Sequence, residues 1–499
     1  NRKGEIALRE AEVWGSLAQA KGHAYPYADM DAQWKVLLFN QFHDILPGSS
    51  IARVYDEALE QHNDIIRAAT GHAADAQQAL ITKDEGVTVF NSLCFERQAL
   101  VTLPADYAQG AVTQEGAPVP TQPTQNGALA LVDLPAVGAV SLTPATAKGK
   151  AGPCTAAMEG ANVRLTNDHV DITFNALGEI TSFVDKATGR EYAAGPMNKL
   201  LMYKDVPRLF DAWDIDSHYE LQPVALDEPA TITVLEASGL RATLRVTRRI
   251  NNSQFTQDIC LYAHSGRLDF ITTVEWNELH RLLKVGFPVN VRATEAINEI
   301  QFGYMKRPTH RSRLYDSDRF EVCNQRYSAL CDQNHGAAVL NDCKYGISLH
   351  DNEMRLTLLR ASTSPEMRAD NGTHTFTYSF LAWEGSFMDA PVVHQAYDLN
   401  VPATVMPGSA PTFSAFSVDA PNVFIDTIKP AEDQSGDLIL RLYEAKRADT
   451  ACTLSINLPV KQVLACDMLE NPLASLDGTD KVDLAFHTFE VKTLRLKLA

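Results

Sequence analysis

The stretch Asn40-Gln41-Phe42-His43-Asp44-Ile45-Leu46-Pro47-Gly48-Ser49-Ser50 gathers side chains that can do chemistry directly after the apolar run Trp34-Lys35-Val36-Leu37-Leu38-Phe39. An imidazole beside a carboxylate is costly to bury unless something pairs with it. His43 has the chemistry of a metal ligand, and Asp44 that of a hydrogen-bond acceptor. The run reads as a buried helix stopping at Pro47-Gly48, because proline breaks the hydrogen-bond ladder and glycine accepts the turn that follows. On such a helix Asn40 and Asp44 share a face, while His43 points about 100° away from Asp44. The plainer alternative is a pair that caps the helix or satisfies the core.

A second group is Asp211-Ala212-Trp213-Asp214, in a region that reads as loop or strand end. In extended chain Asp211 and Asp214 point to opposite faces, which makes them a poor acid pair. Trp213 offers a flat apolar surface for a ring to stack on; packing at a domain interface is its alternative role. His62, His72, His218, His280, His310 and His335 lack metal-ligand spacing and receive no role.

These groups need a large scaffold. At 499 residues the chain predicts about three to four domains. With 44 Lys plus Arg against 62 Asp plus Glu, the net charge is −18, which argues against nucleic acid and anionic membrane as partners. No stretch of about 18 apolar residues marks a membrane helix. The opening residues hold no apolar signal-peptide core. The eight cysteines show neither CxxC nor a dense framework and predict free, largely buried thiols of a reducing, cytoplasmic compartment.

Helical spacing of Ile6, Val13, Leu17 and Ala20 predicts a first helix over 1–22, closed by Gly22. Residues 31–46 form the second. The third starts at a Ser49 or Ser50 cap and continues to about Leu80, with a break at Gly71. Together, 1–85 read as a three-helix bundle. Short β-branched runs from Val87 to Leu142 predict a small β-sandwich over 86–147, with 105–128 as loop or edge ribbon. Residues 148–160 read as a linker. Alternation at Val170–Phe174, Ala242–Thr247 and Thr375–Phe380 extends 148–400 into a large two-sheet super-sandwich. A terminal β-sandwich completes 401–499. The fold class is mainly β with an N-terminal α part.

The string NQFHDILPGSS, with SIARVYDEALEQ after it, resembles the middle-domain motif of the α-mannosidases of glycoside hydrolase family 38, most closely the cytosolic-type branch. The resemblance continues through Asp211-Ala212-Trp213-Asp214, the block Glu299 to Tyr304, Leu358-Leu359-Arg360 and Ala369 to His374, and thins after residue 400. The chain departs from the pattern at Gln325-Arg326-Tyr327 and Ala382-Trp383. It implies that His43 is a zinc ligand, with cobalt as the alternative ion, and that Asp44 contacts mannose. Trp213 then becomes a candidate for stacking on a sugar ring, with Asp211, Asp214 and Tyr304 as further substrate-site candidates. Tyr304 as packing remains equally open.

Retaining glycoside hydrolysis needs two carboxyl groups about 5–5.5 Å apart. In this family both come from an N-terminal β/α domain, as do three of four zinc ligands. The chain opens at Asn1, with its first methionine at Met30, and is expected to be the C-terminal portion of such an enzyme. It would then bind zinc only in the complete enzyme, supply no catalytic carboxylate and be inactive alone. The expected partners are a mannose-containing oligosaccharide and the missing domain; assembly into homo-oligomers is left open. Two other readings stand beside this one: a non-catalytic carbohydrate-binding module, and an enzyme with its own site in the large β-sheets.

Overall fold

The computed structural model describes residues 1–125, 127–147 and 149–499. Asn126, within the predicted ribbon, and Lys148, where the predicted linker begins, lie outside the described residues. The fold is mainly β, with helices at the N-terminus and antiparallel sheets after them. The chain divides into two compact units. One comprises Asn1–Gln41, Leu59–Lys150 and Val401–Ala499, the other Phe42–Ala58 and Ala151–Asn400.

In the first unit, helix α1 (Arg2–Gln19) buries Leu8, Ala11, Trp14 and Ala18, the stripe its sequence period dictates. Trp14 meets Phe90 edge-on, with ring centroids 5.0 Å apart. The chain leaves α1 through Gly22, whose φ of 91° suits glycine. Helix α2 (Tyr27–Phe39) is joined to α1 by the Trp34 indole, which donates to Glu12 Oε1 at 2.9 Å. Helix α3 (Ala52–Leu80) is unbroken at Gly71. One exposed glycine costs only about 1 kcal/mol, which a long helix tolerates.

Helix α2 departs from expectation in two ways. It ends at Phe39, not at Leu46, and it is not a buried helix, since only Met30 and Leu37 are buried while Phe39 is 67% exposed. Asn40 ends it: its side-chain amide donates to Val36 O at 3.0 Å and to Gln61 Oε1 at 2.7 Å. Local bonding of this kind competes with helix propagation, and Pro47 disfavours helical backbone before it. His43 and Asp44 therefore lie in turns beyond the helix. The shared helix face of Asn40 and Asp44 does not exist.

Burial raises the Glu12 carboxyl from 4.5 to about 7, against the pull of Lys429, the Trp34 hydrogen bond, Arg9 and Arg441. A carboxyl raised on folding binds more protons folded than unfolded between those two values, so stability falls as pH rises through that window. Glu12→Gln is expected to remove this slope, gaining up to about 3 kcal/mol at pH 8 and little at pH 4. Urea unfolding of both proteins at the two pH values measures it; equal gains at both would contradict the assignment.

The rest of this unit is β. A sheet runs in the order Thr404–Ser409, Lys83–Asn91, Gly138–Pro144, Ala111–Thr113, Pro118–Val119, so residues beyond 400 return to pair with the strand after α3. The five-stranded sheet containing Leu438–Glu444 and Val491–Leu498 lies in the same unit.

The second unit is built on three sheets around one apolar core. Across it Phe270, Phe287 and Phe380 meet, with Phe287 and Phe380 stacked at 5.5 Å. In the six-stranded sheet Arg281–Pro288 lies between Lys199–Lys204 and Glu353–Arg360. Lys204 pairs with Arg281 and Arg360 with Leu282. This register brings the loop after Lys204, the turn before Arg281 and the loop after Arg360 to one end of the sheet. Two expectations are corrected here. Cys154–Glu159, read as linker, is a strand paired with Asn162–Thr166 and Ser238–Gly239. Val392–Asn400, within a stretch read as strands, is a helix.

All eight cysteines are free, five of them buried and Cys323 exposed. No helix among the described residues is long and apolar enough to cross a membrane.

Candidate functional site

The segment 42–50 is a run of turns locked by its own polar groups. Asp44 is the hub: its carbonyl accepts from Ser49 N at 3.2 Å and from the Tyr55 hydroxyl at 3.3 Å. Its Oδ1 accepts from Ser49 Oγ at 3.2 Å. Ser50 N donates to the Tyr55 hydroxyl at 2.5 Å. Burial raises the Tyr55 hydroxyl above its ordinary range, which keeps it protonated and able to donate. Gly48, with φ of 84°, lets the chain turn back toward α3.

On this frame His43 stands out, its side chain 67% exposed, with Nε2 3.4 Å from Asp44 Oδ2. The Phe42 ring lies beside it at 4.2 Å. The ring of Trp213 stands perpendicular to His43 with centroids 6.1 Å apart, and Trp213 itself is 56% exposed. The structure thus brings together His43, Asp44 and Trp213, which lie about 170 positions apart in sequence.

Trp213 is carried by a tight turn rather than by extended chain. Trp213 N and Asp214 N both donate to Phe210 O at 2.8 Å, and Phe210 adopts φ of 52°. Non-glycine residues rarely take that conformation unless the surroundings hold them there. Asp211 is held inward: Oδ2 accepts from Thr363 N at 2.6 Å and Thr363 Oγ1 at 3.1 Å, and Oδ1 lies 3.5 Å from His280 Nδ1. Asp214 is exposed, with its Oδ1 accepting from Ile215 N at 2.9 Å. The two acids therefore have different surroundings. Tyr304 is placed separately, half-buried on the edge strand Gly303–Pro308 with its ring edge-on to Phe387.

Glu299, in the same block as Tyr304, is buried and takes both the main-chain N–H and the guanidinium of Arg326. That guanidinium lies 3.7 Å from the Tyr397 ring centroid, so Arg326, in the departing Gln325-Arg326-Tyr327, serves the scaffold.

Sequence reasoning assigned nothing to His280, Thr363 or Arg360. His280, at φ of 50°, bonds through Nε2 to Thr363 Oγ1 at 3.1 Å and through Nδ1 to Asp205 O at 3.2 Å. Arg360 ties Asp205 to the main chain of the Trp213 turn. No local signal singles out Arg360: its strand EMRLTLLR also carries Glu353 and Arg355, and the link to Asp205 depends on pairing between strands of one sheet.

Could a metal sit here? Among the described residues no group of three or more His, Cys, Asp or Glu comes together to hold one. His43 and Asp44 give one imidazole and one carboxylate, exposed and adjacent. Those donors fit part of a zinc shell of about four ligands, not a whole one.

Three family models match the sequence: the alpha-mannosidase middle domain over residues 1–80, the glycosyl hydrolases family 38 C-terminal domain over 165–368, and the family 38 C-terminal beta sandwich domain over 422–494. The whole chain is 36% identical to alpha-mannosidase 2C1 of Homo sapiens, covering 48% of that protein. Alpha-mannosidase G of Dictyostelium discoideum is 30% identical over 99% of this chain and 50% of its own length. The chain spans about half the length of the curated relatives it matches. The fold is similar to that of an alpha-mannosidase from Enterococcus faecalis V583, with a TM-score of 0.83 at 17% identity, covering all of this chain and 66% of that one.

Proposed function

Because this chain belongs to glycosyl hydrolase family 38, we propose that it forms part of a metal-dependent, retaining α-mannosidase that removes terminal α-linked mannose from oligosaccharides. The observation that carries the reading is the exposed His43–Asp44 pair facing an exposed Trp213 ring. A flat indole suits the C–H face of a pyranose, and a carboxylate beside it suits a sugar hydroxyl.

In this reading 1–85 is the helical domain carrying the His-Asp turn, 86–147 a small β-sandwich, 148–400 the β super-sandwich and 401–499 the terminal β-sandwich. His43 donates one ligand to a zinc ion whose other ligands come from a β/α domain, as do the nucleophile and the acid/base. Bound there, zinc would act as a Lewis acid that grips sugar hydroxyls and favours a distorted ring. Asp44 accepts a hydroxyl hydrogen bond, and Trp213 packs on the ring. Asp211 holds the turn from inside and Asp214 borders the site, while Tyr304, packed on Phe387, serves the scaffold. The acidic chain with free thiols works in the cytoplasm, without nucleic acid or membrane as partner.

The test joins this chain to the β/α domain of a family 38 relative and assays both forms for zinc content and α-mannoside hydrolysis. The joined protein is expected to hold zinc and turn over, and the chain alone to do neither. Turnover by the chain alone, or no gain on joining, would overturn the proposal.

A further inference from the structure

The loop that presents Trp213 closes its own turn on Phe210 O, but its position is fixed from outside. Four main-chain groups of residues 210–214 are engaged from outside the loop. Arg360 Nη2 donates to Asp214 O at 2.8 Å and to Asp211 O at 3.3 Å, and Arg360 Nη1 to Ala212 O at 3.4 Å. Ala212 N donates to Ser364 O at 3.1 Å. Arg360 is fixed in turn. Its Nε and Nη2 each lie 2.7 Å from Asp205 Oδ2, and its carbonyl accepts from the Trp276 indole at 2.8 Å. Asp205 is 3% exposed, and its N–H donates to His280 O at 3.0 Å. A buried carboxylate opposite a guanidinium is costly to leave unpaired, which makes the pair a rigid anchor.

We propose that Arg360, held by Asp205, is a positioning residue that fixes the 210–214 turn so that the Trp213 ring stands ready opposite His43. An exposed tryptophan on a free loop would lose conformational freedom each time a ring stacked on it. The clamp removes that loss beforehand, because the loop's carbonyls are bound on the inside while the indole is left outside. Only a planar fork reaches a carboxylate and three carbonyls together; a lysine, with one point of charge, does not. The kinetic consequence rests on the mannosidase reading above, whereas the order of the loop does not.

Two measurements test it. The first uses this chain: acrylamide quenching of Trp213 fluorescence, isolated by subtracting the signal of Trp213→Phe in each background. Arg360→Lys is expected to raise the Trp213 quenching constant while the far-ultraviolet circular dichroism stays unchanged. Asp205→Asn, which preserves shape and removes the anchor's charge, is expected to act in the same direction and decides the matter if Arg360→Lys fails to fold. Unchanged quenching in a folded variant overturns the proposal, whatever the protein's activity. The second uses the α-mannosidase joined as above, where Arg360→Lys is expected to raise KM roughly three- to ten-fold, the worth of an aromatic contact, with kcat nearly kept. Combined with Trp213→Ala, the losses are expected not to add. Additive losses would mean that Arg360 acts independently of Trp213, and would overturn the assignment.

Discussion

Replacing His43 with alanine in the joined enzyme is expected to abolish bound zinc and turnover together. Outer-shell partners of a metal are already worth about 10–100-fold in affinity, so loss of a direct ligand should cost more than about 100-fold. The fold should not follow. In this chain alone His43 is 67% exposed, and exposed substitutions change stability by about 0.5 kcal/mol or less, so the fold test uses this chain without metal. That contrast makes the experiment informative. A histidine serving only as a shelf between Phe42 and Trp213 would leave the metal in place when removed. Metal analysis of the dialysed joined variant, beside the thermal midpoint of this chain with the same substitution, separates the two roles. Normal zinc content would refute the ligand assignment even if activity fell.

Part of this site was legible in sequence because its chemistry is local. The string around His43 and Asp44 and the Asp211-Ala212-Trp213-Asp214 turn each stand out from their neighbours by residue type. What holds them was not legible, since it depends on register across a sheet. Asp205, His280 and Arg360 become neighbours only because Lys204 pairs with Arg281 and Leu282 with Arg360. Spacing along the chain carries no trace of that, so His280 read as a histidine without partners.

The helix that leads to the site was misread for a related reason. The apolar run before Asn40 promised burial and continuation, but a period argument counts residue types and not the hydrogen bonds that asparagine diverts. The strand-forming stretches were clearer: alternation at Val170–Phe174 and Thr375–Phe380 corresponds to strands in the structure. Cys154–Glu159 escaped because Ala-Ala-Met has little β preference, and its neighbours supply the pairing. Likewise, nothing local shows that Thr404–Ser409 returns to Lys83–Asn91.

Asp44→Asn distinguishes the two roles that its position allows. The carboxylate stands 3.4 Å from His43 Nε2, so it could orient the imidazole, or it could receive a sugar hydroxyl. Asparagine retains the shape and an oxygen for Ser49, and the carbonyl bonds to Ser49 N and Tyr55 are main-chain and remain. The turn should therefore persist, and only the charge is lost. A hydrogen bond to a charged acceptor is worth about 1.5–3 kcal/mol, which corresponds to roughly a 10- to 150-fold loss in kcat/KM. We expect that loss with zinc content unchanged, because metal binding rests on His43. Zinc falling together with activity would mean that Asp44 acts through His43 and not on the sugar. If kcat/KM were unchanged, the carboxylate would have neither role, and Trp213 would be left as the chain's contact with substrate.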